Sequence, residues 1–213
     1  GRGSGGGSIN LTTKQPKLVE ESSASLRVGT DSYVRATVDT NYVLGETGAV
    51  RVNLMGAQGD VPKRDAVDFD TWGAAVAAAL GLGTDSRLTL SYQHLTRNDM
   101  PDYGVPLSRK LPGVTPTETG ILDVPRDAFY GLTARDYQKT TADIATLVGE
   151  HDINDAMTFR GVFRYAKTVN DYVVTNPGDG GSAQFVNGQW WMKRGLKSRY
   201  NPATTVAAVA DIY

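Results

Sequence analysis

Hydrophobic and polar residues alternate along most of the chain with a period of two, which is typical of β-strands that present two different faces. In residues 87–95, for example, Leu88, Leu90 and Tyr92 alternate with polar residues. Stretches of this kind are separated by turns rich in glycine, aspartate and serine. The pattern predicts eight strands, at residues 23–28, 33–44, 50–54, 72–80, 87–95, 136–149, 156–174 and from 204 onward.

Residues 72–80 need a separate argument because they are rich in alanine, which has a high intrinsic helix propensity. The stretch is nevertheless short, glycines flank it, and strands are predicted on both sides of it. We therefore interpret it as a strand and predict an all-β, antiparallel fold.

The connections between the predicted strands alternate in length. The short ones are residues 45–48, 83–86 and 150–155, and the long ones are residues 59–70, 97–135 and 175–200. Only the first turn, at residues 29–32, is short where the alternation predicts a long connection. Residues 97–135 show no strand or helix period and contain five of the nine prolines. An aperiodic insertion of this length inside a compact domain is usually functional, and we expect it to be so here.

Arginines lie on the polar face of several predicted strands: Arg35, Arg51, Arg160 and Arg164. Together with the alternating connections, they fit a transmembrane β-barrel whose lumen is hydrated or plugged. They fit equally well a soluble antiparallel sheet that has one face in water. The pattern of residues leaves both interpretations open.

Composition excludes several classes of protein. The 213 residues carry a formal net charge of −1 and contain no cysteine, which gives no indication of nucleic-acid binding, disulfides or thiolate metal sites. His94 and His151 are isolated in the sequence, so we expect no metal site. No pair of carboxylates and no nucleophile with a base stands out, so we predict no catalytic residues and no enzyme.

The glycine-rich residues 1–8 have the composition of a flexible linker. Their spacing also matches a dinucleotide fingerprint, but that motif requires a strand before it and a helix after it. We therefore exclude nucleotide binding at this segment.

A family resemblance supplies a more specific interpretation of the same residues. The segment Gly1-Arg-Gly-Ser-Gly-Gly-Gly-Ser-Ile-Asn-Leu-Thr-Thr-Lys14 resembles the end of the plug domain of TonB-dependent siderophore receptors. Further similar segments follow in the family's order: Gly29-Thr-Asp-Ser-Tyr33, Arg35-Ala-Thr-Val-Asp39, Arg51-Val-Asn-Leu-Met55, Gly81-Leu-Gly-Thr84, Arg87-Leu-Thr-Leu-Ser-Tyr92 and Asp99-Met-Pro-Asp-Tyr-Gly104. The last of these, with Tyr130-Gly131 and Arg135-Asp136-Tyr137, is most similar to the receptors for catecholate siderophores.

The resemblance implies a partial antiparallel transmembrane β-barrel, with about eight strands of a plugged barrel of about 22. Residues 1–19 would be the C-terminal end of the plug domain, including its last strand, and residues 20–213 the N-terminal part of the barrel. We treat the sequence as a fragment that lacks most of the plug and the remaining strands.

The resemblance also implies a function, the import of ferric siderophores across the outer membrane of a Gram-negative bacterium. The expected partners are the ferric siderophore, outer-membrane lipid, and the TonB complex, which would bind an N-terminal region that precedes this segment. No nucleic acid and no cofactor is expected, because the iron enters as part of the transported ligand.

By analogy with the family, residues 97–135 would form an extracellular loop. A ferric catecholate complex is anionic and aromatic, so its capture favours aromatic rings and cations. Candidate ligand-binding residues in this loop are Tyr103, Arg109 and Lys110, and those in the next long loop are Trp190, Trp191, Lys193 and Arg194. The two tryptophans fit equally well the aromatic girdle at a membrane surface.

Two other classes of protein also fit the sequence. One is a complete eight-stranded outer-membrane barrel with an adhesive or structural role, and the other is a soluble β-sandwich that binds carbohydrate.

Overall fold

The computed structural model describes residues 13–108, 120–122, 124–178 and 184–213. Eight long strands form one antiparallel sheet in the order β1-β2-β3-β4-β5-β8-β9-β12. These strands are β1 (Glu21–Val28), β2 (Val34–Leu44), β3 (Gly48–Asp60), β4 (Asp68–Leu80), β5 (Ser86–Asp99), β8 (Tyr137–Asn154), β9 (Met157–Asn176) and β12 (Gly195–Ile212). The prediction of an all-β fold with about eight long strands is confirmed.

Two small hairpins lie in the long connections. Strand β6 (Leu107–Ser108) pairs with β7 (Gly120–Ile121), and β10 (Gln184–Val186) pairs with β11 (Gln189–Trp191). Within the described residues, β1 and β12 do not pair with each other, so the large sheet is open. The described part of the chain contains no helix long and apolar enough to cross a membrane.

The alanine-rich stretch forms the central strand β4, as predicted. It pairs along its whole length with β3 and β5. Ala77 and Ala79 are buried on one side of this strand, whereas Trp72, Val76 and Leu80 are exposed on the other. Pairing with two neighbours therefore outweighs the helix propensity of alanine, which amounts to less than about 1 kcal/mol per residue.

Several strand ends differ from the prediction. Strand β8 continues to Asn154, so the predicted turn at residues 150–155 is largely strand, and β12 begins at Gly195 rather than near residue 204. The connection between β3 and β4 is only residues 61–67. These predictions were wrong because backbone pairing between neighbouring strands does not require alternating side chains, so paired strand can extend past the end of the pattern.

The two faces of the sheet differ in chemistry as the alternation predicts. Cross-strand pairing places Leu90 beside Leu147, which in turn pairs with Phe163, on the face that we call the apolar face. Other members of this exposed apolar face are Val38, Tyr42, Leu54, Trp72, Val76, Leu88, Tyr92, Phe159 and Tyr165.

The opposite face, which we call the polar face, carries Arg51, Arg160 and Arg164. An open groove of about 510 Å³ runs along the polar face. It is lined by Gln93, Arg160, Arg164 and residues 13–15. The polar side chains are therefore gathered on the side of the groove, as predicted from the sequence.

Candidate functional site

The connections 61–67 and 100–136 emerge at the same end of the sheet and are tied together. Arg64 donates two hydrogen bonds to Asp102, from Nε to Oδ2 at 2.7 Å and from its second terminal nitrogen to Oδ1 at 2.8 Å. Its other terminal nitrogen donates to the backbone oxygen of Arg126. The backbone N–H of Asp65 donates to the carbonyl of Asp127 at 2.7 Å. The short connection thus holds the long one at two points.

Asp102 also shapes the turn that carries Tyr103. Its Oδ1 accepts a hydrogen bond of 2.8 Å from the backbone N–H of Gly104, which has a φ of +81° that side-chain-bearing residues rarely adopt. Tyr103 lies between these two residues with 53% of its surface exposed. An aromatic side chain is therefore presented to solvent on a turn whose neighbouring carboxylate is fixed by Arg64.

The bond between Arg64 and Asp102 also sets the ionisation of both groups. Burial alone would raise the pKa of Asp102, but hydrogen bonds from Arg64 and from the Gly104 N–H outweigh burial and lower it. The hydrogen bond to Asp102 raises the pKa of Arg64. The ion pair therefore contributes its full stability above the ordinary carboxyl pKa and loses it only as the pH falls through the lowered pKa of Asp102.

Asp136 fastens the other end of the long connection to the sheet. Its fully buried carboxylate accepts hydrogen bonds from the backbone N–H of Thr175 at 2.8 Å and of Leu132 at 3.1 Å. Arg135 donates to the same carboxylate at 3.1 Å and to the Thr175 hydroxyl at 2.6 Å. Burial alone would raise the pKa of Asp136, but hydrogen bonding by the Thr175 side chain, then by the backbone N–H groups of Leu132 and Thr175 and by Arg135, lowers it overall.

The second long connection lies against the first. A Cβ atom built on Gly178 would lie 3.6 Å from the backbone oxygen of Leu107 and 3.4 Å from Sδ of Met192. The hairpin β10–β11 is closed by Asn187 and Gly188, both at positive φ, as in two-residue hairpin turns. Residues from the two long connections therefore share one end of the sheet.

The candidate ligand-binding residues fall into three groups. Tyr103 is exposed on its fixed turn, whereas Arg109 and Lys110 lie outside the described residues. On strand β11, Trp190 packs against Phe185 with ring centroids 5.2 Å apart. Its neighbour Trp191 is 62% exposed, and Lys193 and Arg194 follow as exposed residues.

At the opposite end of the sheet lies a cluster that the sequence did not single out. We call residues 15–19 the strap and the wall residues Asp39, Asn41 and Arg51 the clamp. Arg51 donates to Asp39 through Nε at 2.8 Å and through a terminal nitrogen at 2.7 Å, and its other terminal nitrogen donates to the carbonyl of Gln15 at 3.3 Å. Lys14 forms a further ion pair with Asp39.

Asn41 completes the clamp and has no exposed surface. Its Oδ1 accepts from the backbone N–H of Lys17 at 3.0 Å, and its Nδ2 donates to the carbonyls of Lys17 and Val19, both at 2.7 Å. The sequence places Arg51 on the polar face, and cross-strand pairing of Asn41 with Arg51 puts Asn41 and Asp39 on the same face. Their common role was missed because the strap lies more than 20 residues earlier in the chain.

Neither histidine lies in a cluster of metal ligands. His94 Nδ1 lies 2.7 Å from Asp143 and the ring packs on Trp72, while His151 Nδ1 lies 2.8 Å from the Ser86 hydroxyl. Over the described residues, no three His, Cys, Asp or Glu side chains are grouped in a way that could hold a metal ion.

Comparison with curated proteins finds relatives of this chain. The chain is 40% identical over 181 residues to the catecholate siderophore receptor Fiu of Escherichia coli strain K12. It is 39% identical over 178 residues to the probable TonB-dependent receptor BfrD of Bordetella pertussis. A probable TonB-dependent siderophore receptor, PiuA of Acinetobacter baumannii, is 37% identical over 180 residues.

The chain is homologous to a segment of the TonB-dependent siderophore receptors. The matches cover 82–84% of this chain and 24% of each relative, so the chain spans about a quarter of their length. No family model matches the chain.

Solved TonB-dependent receptors have the same fold as this segment. The closed form of the ferric-catecholate import receptor Fiu from E. coli superimposes with a TM-score of 0.91, at 33% identity, over 100% of this chain and 31% of that chain. The receptor PiuA from A. baumannii gives a TM-score of 0.80, at 31% identity, over 94% of this chain and 28% of that chain. The sheet therefore matches part of the barrel of these solved receptors, and within the described residues it is not closed.

Proposed function

We propose that the chain is part of an outer-membrane receptor that imports ferric siderophores, of the catecholate type, into the periplasm. The observation that carries this proposal is the 40% identity to a catecholate siderophore receptor, combined with the structural match along the whole chain. In this proposal the protein performs no catalysis and holds no cofactor, and the iron arrives as cargo inside its chelator.

The two faces of the sheet fit such a receptor. The apolar face would contact outer-membrane lipid, and the polar face would line a lumen that contains the plug. Residues 1–19 would form the end of that plug, and residues 20–213 the first part of the barrel wall. The TonB complex would bind a region N-terminal to this segment.

The connected loops would form the entrance for the ligand. Tyr103 would stack on a catecholate ring, and Arg109 and Lys110 in the same connection would attract the anionic complex. On the adjoining connection, Trp191 offers a second exposed ring, with Trp190, Lys193 and Arg194 beside it. Because Tyr103 stands on a turn fixed by Asp102 and Arg64, little of its freedom would be lost on binding.

An uptake experiment tests this function. The full-length receptor is expressed in a strain that lacks its own catecholate receptors, and accumulation of iron is followed with a ferric catecholate as the only source. Uptake that requires both the receptor and an intact TonB complex is expected. Equal uptake with and without the receptor would contradict the proposal.

Replacing Arg64 with alanine is expected to weaken binding of a ferric catecholate to the full-length receptor about threefold to tenfold. The substitution removes both bonds to Asp102, so the turn would have to be ordered again on binding. Arg126→Ala is the matched control, because Arg126 reaches Arg64 through its backbone oxygen, which the substitution retains.

A double-mutant cycle of Arg64 and Tyr103 shows whether Arg64 acts through Tyr103. In a Tyr103→Ala background, Arg64→Ala should cause little further loss of affinity, since the ring that it positions is absent. An equal loss in both backgrounds would show that Arg64 does not act by positioning Tyr103.

A further inference from the structure

We infer that Tyr33, Phe69 and Arg97 form a second ligand site on the polar face of the sheet, where they bind an anionic aromatic ring of the iron complex. We call these three residues the wall platform. The inference rests on the proposed function and deepens it, because it adds a site on the wall to the candidate residues of the long connections.

Strand pairing brings the two rings of the wall platform together. Tyr33 immediately precedes β2 and Phe69 is on β4, with Gly59 of β3 paired to Phe69. A Cβ atom built on Gly59 would lie 3.2 Å from the Tyr33 ring and 3.4 Å from the Phe69 ring, so a glycine is what lets both rings approach. The ring centroids are 6.4 Å apart, within the range of favourable aromatic pairs.

Arg97 of β5 completes the wall platform. Its guanidinium carbon lies 4.7 Å from the centroid of the Phe69 ring, which is a cation–π contact. Its Nε donates to the two carboxylate oxygens of Asp99 at 2.8 and 2.9 Å, and a terminal nitrogen lies 2.7 Å from Oδ1. The Arg97 side chain nevertheless remains 45% exposed. The guanidinium is therefore fixed in place while part of its surface stays open to a ligand.

The chemistry of the wall platform matches that of a catecholate. A guanidinium is planar, so it stacks on an aromatic ring and donates hydrogen bonds to oxygen atoms in its own plane. A catecholate offers both a flat ring and negatively charged oxygens. Because Phe69 and Asp99 already hold Arg97, little of its freedom would be lost on binding. The site therefore favours an anionic aryl ring over a neutral chelator without rings.

Neighbouring arginines supply net positive charge, because Asp99 compensates the charge of Arg97 itself. One row of paired residues crosses the polar face from Arg35 on β2 to Arg97 on β5. Arg27 of β1 is directly opposite Arg35. Like charges directly opposite each other destabilise a sheet, and an anion bound nearby would relieve that repulsion. The charges of this row thus favour an anionic ligand.

The wall platform lies between the long connections and the interior of the polar face. The connection that carries Tyr103 begins just after β5 ends at Asp99. In the other direction, Leu95 and Met55 line an open groove of about 490 Å³. A ligand that moves from the connections toward this groove would therefore pass the wall platform.

The first test compares Arg97→Lys with Arg164→Lys in the full-length receptor. Lysine keeps the positive charge but lacks the planar group that stacks on a ring. Arg97→Lys should weaken equilibrium binding of a ferric catecholate by about threefold to thirtyfold. Arg164 is on the same polar face but level with Ser91, away from the wall platform. Arg164→Lys should therefore leave the affinity unchanged.

Three results would overturn the inference. Equal affinity of wild type and Arg97→Lys would show that the planar group does not contact the ligand. An equal loss in Arg164→Lys would show that the effect is not specific to this place on the wall. A loss of affinity accompanied by a lower unfolding temperature of Arg97→Lys would show that Arg97 supports the fold instead of the ligand.

A second test determines whether the ring and the guanidinium act as one unit. Phe69→Leu removes the ring but keeps an apolar side chain, and it should weaken catecholate binding by a similar factor. Because Arg97 is held over this ring, combining Phe69→Leu with Arg97→Lys should cause little further loss. Losses that multiply in the double variant would contradict a single platform.

Salt dependence tests the contribution of the flanking arginines. Added salt should weaken catecholate binding less in Arg35→Gln than in wild type, whereas Arg97→Lys keeps its charge and should respond to salt as wild type does. An unchanged salt dependence in Arg35→Gln would contradict the role of this row of charges.

Wild-type binding separates failure of this inference from failure of the proposed function. If the wild-type receptor does not bind the ferric catecholate, the proposed function itself fails. If wild type binds it and both Arg97→Lys and Phe69→Leu bind it equally well, only the wall platform is refuted.

Discussion

Replacing Leu90 with arginine is expected to destabilise the full-length receptor by about 2–4 kcal/mol. Leu90 lies in the middle of the outward apolar stretch of β5, between Leu88 and Tyr92, and its side chain is exposed on the apolar face. If that face contacts lipid, the substitution places a charge near the centre of the hydrocarbon, where no water can solvate it. The free energy of unfolding in lipid bilayers measures the effect.

Gln93→Arg is the control for this prediction. Gln93 lies on the same strand but lines the groove of the polar face, where Arg160 and Arg164 already stand. Its replacement should cost less than about 1 kcal/mol, as is usual for a substitution in a polar environment. A costly Gln93→Arg together with a tolerated Leu90→Arg would reverse the assignment of the two faces.

Replacing Tyr103, Arg109 and Lys110 together with alanine is expected to produce the largest loss of ligand affinity. Each partly exposed ring or charge contact contributes about 0.5–2 kcal/mol, so a single substitution should weaken binding between a few-fold and about thirtyfold. The triple variant should lose considerably more. Salt should weaken binding by wild type more than by the triple variant, because screening acts on the charges that the variant lacks.

A neutral ferric hydroxamate serves as the control ligand for the triple variant. Its binding should change little, since it offers neither the anionic charge nor the catechol rings that these side chains are proposed to contact. Unchanged affinity of the triple variant for the ferric catecholate would remove this loop from the binding site.

The sequence was sufficient to predict the strands and their faces. Leu88, Leu90 and Tyr92 alternate with Thr89 and Ser91, and a half-buried or lipid-facing strand enforces that period directly. The strand ends were less predictable, because β8 continues to Asn154 through residues whose pattern no longer alternates. The hairpin β10–β11 was missed although Asn187-Gly188 is a strong hairpin signal.

The contacts that organise the candidate sites were not predictable in the same way. Arg64 and Asp102 are 38 residues apart, and Asn41 is 24 residues from Lys17. Alternation assigns a residue to a face but does not give the partner that reaches it from another connection. Both the fixed turn of Tyr103 and the clamp therefore became visible only in the folded chain.

Equilibrium binding to the full-length wild-type receptor tests the central claim most directly. A ferric catecholate and a neutral ferric hydroxamate are titrated separately under identical salt and pH. The proposed function predicts that the catecholate binds more tightly and that added salt weakens its binding. Tighter binding of the hydroxamate would contradict the assignment to catecholates, and no binding of either complex would contradict the receptor function itself.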